Sequence, residues 1–73
     1  MIVKNREDIA ELILNARKRC GLSLRQLAKE AGVDRNTIYN IENCRSGISV
    51  DILLKLRDAL KIEVAIIDTT DIL

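Results

Sequence analysis

Between residues 35 and 43 the side chains Arg35, Asn36, Thr37, Tyr39, Asn40 and Asn43 crowd around two apolar ones, Ile38 and Ile41. Arginine offers a planar fork of donors, and an asparagine amide both donates and accepts, so the stretch is equipped to grip polar edges. That is an unusual surface for a helix that needs only ordinary solvation. The chemistry of bond breaking is poorly served. There is no histidine among the 73 residues, which excludes histidine-based catalysis and histidine metal ligation. No glycine-rich phosphate loop and no Cys-His pair is present either, so an enzyme is not expected, nor any cofactor or metal. Cys20 and Cys44 fit no metal spacing and read as two reduced thiols.

The elements that position these side chains can be found from their caps. Composition gives one small domain with an aliphatic core, because 11 Ile, 10 Leu and 4 Val stand beside a single aromatic, Tyr39. A chain this short buries only about 60% of its unfolded surface, so marginal stability or help from a partner is expected. Asn5, with Asp8 three residues on, opens a helix over about 6–20, with Ile9, Leu12, Ile13, Ala16 and Cys20 at helical spacing. Gly21 stops it after the basic run Arg17-Lys18-Arg19. Ser23 and Gln26 have the form of a capping box and start a second helix over 24–31, ended by Gly32. Asp34 caps a third over 35–43, and Ser49 a fourth over 50–60 with Val50, Leu53, Leu54, Leu56 and Leu60 as its apolar face.

Lys61 breaks the pattern, and Ile62, Val64 and Ile66 then alternate with Glu63, Ala65 and Ile67, which reads as a strand over 62–67. No other segment has a comparable β pattern. A lone apolar strand seeks an edge partner, and the same strand in a second copy is the expected one. Ile62, Val64 and Ile66 are therefore the expected dimer interface, in a homodimer.

The charge is uneven. Residues 1–48 carry net +3 and residues 49–73 net −2, which suits a basic front half facing a polyanion. Met1-Ile2-Val3-Lys4 is followed by charged residues instead of an apolar run, and no segment approaches a membrane span, so a cytoplasmic protein without a membrane partner is expected.

Two short helices joined by a glycine turn pack together only with a small residue near the crossing and branched residues facing inward. Here Ala28, Gly32, Ile38 and Ile41 occupy those places. The stretch from Leu22 to Asn43 resembles the helix-turn-helix of the Cro/cI-type (XRE) repressor family, and with its flanking helices the resemblance covers about residues 6–60. The segment Leu60 to Asp68 is similar to the strand by which HipB-type antitoxins pair two protomers. What these resemblances imply is a mainly α, lambda-repressor-like fold of four or five helices, with a C-terminal strand pairing across a homodimer. The implied function is a dimeric transcriptional repressor on a palindromic double-stranded DNA operator. The alternative is an antitoxin that neutralises a toxin protein and represses its own operon.

In such a motif the N-terminal half of the third helix enters the major groove. Arg35 would then fork onto guanine O6 and N7, and Asn36 or Asn40 would pair with adenine, while Tyr39 would touch a thymine methyl or a phosphate. Backbone anchoring falls to the second helix's N-terminus, with Ser23, Arg25, Thr37, Asn43 and Arg45 nearby. The plain alternative is a solvated polar surface. The resemblance also implies a structural ion pair between Arg17 and Glu42. Two places depart from the family pattern. Leu24 stands where the family often has glutamine, and Cys44 stands where it has a glycine after the recognition helix; either that backbone is not left-handed or Cys44 is strained.

Overall fold

A computed structural model describes residues 2–63 and 65–66. Its elements follow in the order β1 (Ile2–Val3), α1 (Arg6–Arg19), α2 (Leu24–Ala31), α3 (Arg35–Glu42), α4 (Val50–Leu60) and β2 (Ala65–Ile66). Each helix starts on the residue whose side chain can replace a missing backbone partner. Asn5 accepts from the Asp8 amide at 2.8 Å, Asp34 from Asn36 at 2.8 Å and Ser49 from Ile52 at 3.2 Å. At Ser23 the box is complete: its hydroxyl accepts from the Gln26 amide at 3.1 Å, and its own amide donates to Gln26 Oε1 at 2.8 Å.

The helix ends share one device. After each helix a residue turns left-handed, namely Gly21, Gly32, Cys44 and Lys61, with φ of 68°, 69°, 59° and 55°. The following amide then reaches back five residues: Leu22 to Arg17 at 3.1 Å, Val33 to Ala28 at 3.0 Å, Arg45 to Asn40 at 2.8 Å and Ile62 to Arg57 at 3.2 Å. This is the Schellman pattern, in which the residue after the left-handed one commonly makes a hydrophobic contact. Leu22, Val33 and Ile62 do so, each packing on the core, whereas Arg45 is the polar exception. Cys44 is therefore left-handed and bears the strain of that backbone, about 1 kcal/mol for a residue with a Cβ.

The core is assembled from one face of every helix. Ile13, Leu27, Ile38, Ile41 and Leu56 are its largest fully buried side chains, with Ala16, Ala28 and Leu60 between them. Small Ala28 lets α2 and α3 approach, α1 packs on α3, and α4 packs on α2. The third helix ends one residue earlier than expected because Asn43 caps it, and the first likewise because Cys20 does.

The C-terminal strand differs most from expectation. Ile62 is not a strand residue: it is the apolar residue closing the α4 Schellman turn, half-buried against its own core. The strand is Ala65–Ile66, and its partner is in the same chain, with Ile2 opposite Ala65 and Val3 opposite Ile66 in parallel register. Two residues are too few to carry a period-two pattern, which is why β1 has no sequence signature. Tertiary placement supplies it instead. Val3 is buried, and the chain beyond it is fastened where the Lys4 amide donates to Asp8 Oδ2 at 3.0 Å. Val64 and residue 67 of the expected strand lie outside the described residues. No helix among the described residues is long and apolar enough to cross a membrane.

Candidate nucleic-acid interface

The α2–turn–α3 unit holds α3 by its inward residues, Ile38 and Ile41, and leaves the opposite face outside. Arg35 and Asn36 are exposed in its first turn, Tyr39 is 41% exposed one turn later, and Asn40 is half-buried. Arg35, Asn36 and Tyr39 line a common groove whose remaining wall is Leu24, the first residue of α2. Asn40 stands beside this group instead of in it, and its carbonyl accepts the Arg45 amide.

The residues expected to anchor phosphate divide by how much each is already engaged. Arg25 is exposed, and Thr37 is half-buried in the first turn of α3. The Ser23 oxygen accepts within its capping box, which leaves its hydroxyl proton as the group it can offer outward. Asn43 Nδ2 donates to the Tyr39 carbonyl at 2.8 Å, so this side chain closes α3. The Arg45 guanidinium lies 5.5 Å from the centroid of the Tyr39 ring, a cation–π arrangement that gives arginine and tyrosine one common position. The left-handed Cys44 makes this possible, because it reverses the chain and returns Arg45 to the helix it has just left.

Behind the face, Arg17 of α1 grips Glu42 of α3 with two hydrogen bonds, Nε to Oε2 at 2.8 Å and Nη2 to Oε1 at 2.9 Å. Its remaining nitrogen donates to the Leu22 carbonyl at 3.0 Å. With side-chain exposures of 15% and 6% the pair is largely out of water. The hydrogen bonds to Glu42 raise the Arg17 pKa above its ordinary value; burial works the other way and the Glu42 charge adds to the rise. This single guanidinium ties α1, the α1–α2 turn and the end of α3 together, which fixes the angle at which α3 presents its outer face. Sequence reasoning missed the groove role of Leu24 and the stacking of Arg45 on Tyr39. The first had a signal, a leucine where a polar anchor is usual. The second had none, because it depends on the reversal at Cys44.

Among the described residues no cluster of histidine, cysteine or acidic side chains is arranged to hold a metal. Both cysteines are free, Cys20 with its thiol 3.8 Å from the Leu60 carbonyl.

Residues 13–67 match the helix-turn-helix family. Among solved structures the chain is similar to the restriction-modification controller protein C.AhdI from Aeromonas hydrophila, with a TM-score of 0.75 and 31% identity over 80% of this chain and 88% of that one. No curated protein matches the chain. The matched segment takes in the glycine turn between α2 and α3, the buried Ala28, Ile38 and Ile41 that seat it, and the polar outer face of α3, and the chain belongs to the Cro/cI-type helix-turn-helix family of DNA-binding transcriptional regulators, which are not enzymes.

Proposed function

We propose that this chain is a sequence-specific repressor that binds a two-fold operator as a homodimer, with α3 in the major groove of each half-site. The observation that carries this reading is the outer face of α3, where Arg35, Asn36 and Tyr39 share one groove beside the N-terminus of α2. Arg35 reads guanine, Asn36 and Asn40 read adenine, and Tyr39 offers an apolar surface. The free amides of the α2 N-terminus, with Ser23, Arg25 and Thr37, take phosphates, and Asn43 and Arg45 reach a phosphate from the far end of α3. The likeness to C.AhdI, a restriction-modification controller protein, supports a regulatory circuit of that kind for this chain. The HipB-like strand was the feature favouring an antitoxin; with Ala65–Ile66 paired to Ile2–Val3, no observation on the described residues prefers that reading.

One small helix pair binds DNA weakly, and operators are commonly read as two half-sites. For the second copy, α4 leaves Val50 70% and Leu54 41% exposed, one turn apart, an apolar surface that does not depend on the strand. Selection from a random duplex library tests the reading. The expected result is a two-fold-symmetric consensus, and failure to enrich any duplex overturns it. Leu54→Asp is expected to yield monomers in sedimentation and weaker operator binding; a wild-type protein that is monomeric on its operator overturns the dimer.

A further inference from the structure

We infer that Leu24 and Tyr39 form a subsite for the C5-methyl group of a thymine in the major groove, so that Leu24 determines specificity from outside the recognition helix. The inference rests on the DNA-binding reading above and names what one part of that surface recognises. Of the four residues lining the groove, Leu24 is aliphatic and Tyr39 an aromatic ring with one hydroxyl, whereas Arg35 and Asn36 carry hydrogen-bonding groups throughout their ends. Leu24 is half-buried, one side packed on the core and the other lining the groove, so its position is set by packing. Tyr39 has Arg45 over its ring at 5.5 Å, and Arg45 does not itself line the groove. Two apolar walls give a phosphate oxygen nothing to bond, so the phosphates fall to the α2 amides and the groove itself is left for another group. Such walls beside an arginine fork and an amide suit a base-pair edge, and among the four bases only thymine places a methyl group next to hydrogen-bonding atoms in the major groove. The surrounding charge agrees. Arg25, Arg35 and Arg45 are exposed around this end of the molecule, while the nearby carboxylates are engaged, Glu42 with Arg17 and Asp34 in capping α3.

The test replaces thymines of the selected operator one at a time by deoxyuridine, which removes the methyl and leaves the hydrogen-bonding edge intact. One position in each half-site is expected to lose about fourfold in affinity, the factor that corresponds to one buried methyl. With Leu24→Gln and with Tyr39→Ala, both checked for an unchanged circular-dichroism spectrum, thymine and uracil at that position are expected to bind alike. If no deoxyuridine substitution weakens wild-type binding, the inference is overturned and the DNA-binding reading stands. A methyl effect that persists in both variants also overturns it, because the methyl is then read elsewhere. If no duplex is selected at all, it is the underlying reading that fails.

Discussion

Arg17 is the side chain whose loss reaches furthest, because from α1 its three hydrogen bonds end on α3, twice at Glu42, and on the α1–α2 turn at Leu22. Replacing it by alanine leaves the Glu42 carboxylate, 6% exposed, without its partner, and removing one member of a buried pair typically costs about 3–5 kcal/mol. Arg17→Ala is therefore expected to lower the unfolding free energy by that amount, read as a lower chemical-denaturation midpoint, and an unchanged midpoint would show the pair to be dispensable. Because its folded pKa is raised, the stabilisation carried by this guanidinium is complete at neutral pH and is lost only as pH rises beyond the ordinary arginine range. At Arg35 the expectation is opposite in kind. The side chain is exposed, so Arg35→Ala leaves the fold alone and removes about 1–3 kcal/mol of discrimination at one base pair, read as a relaxed position in the selected consensus. If the same sequences are selected, Arg35 does not face a base.

The four helix ends make a controlled comparison of the left-handed backbone. Gly32 has φ 69° and open space where a Cβ would stand, so Gly32→Ala meets no clash and its cost is backbone strain alone, about 1 kcal/mol. Cys44 has φ 59° and already bears that strain. Cys44→Gly is accordingly expected to raise stability by about 0.5–1 kcal/mol, with Gly32→Ala lowering it, and thermal melts of the two variants moving in the same direction would refute this account. Helix starts and stops were legible in the sequence because a cap is a local matter: Asn5, Ser23, Asp34 and Ser49 need only the next three residues to satisfy their amides. The strand was misread for the converse reason. Ile62 is apolar to close the α4 turn, and alternation with Val64 and Ile66 gives it the period of a strand without the conformation.

At the scale of the whole molecule the near-neutral charge is an average. The basic side chains proposed to meet DNA lie in the first 48 residues, which carry net +3, and binding is expected to weaken steeply with salt as counterions return to the duplex. Arg25→Ala should weaken all duplexes alike and reduce the slope of log affinity against log salt by about 1; a slope equal to that of the wild type would remove Arg25 from the phosphate contacts. The short chain also closes on itself, because β1 and β2 pair residues 2–3 with 65–66. The stabilising help that a small core needs is thus partly intramolecular, where sequence reasoning looked for it in a second copy.

The sequence by itself determined the four helices, the glycine turn and the polar outer face of α3, since all three follow from interactions spanning at most a few residues or from one helical period. Only the tertiary structure decided that Ile2–Val3 is the partner of Ala65–Ile66, that Arg45 returns over Tyr39, and that Leu24 walls the groove in front of Arg35. Each of these is a meeting of groups whose own neighbourhoods give no sign of the other. What brings them together is the burial of Ile13, Leu27, Ile38, Ile41 and Leu56 in one core, a property of the assembled helices and of none taken singly.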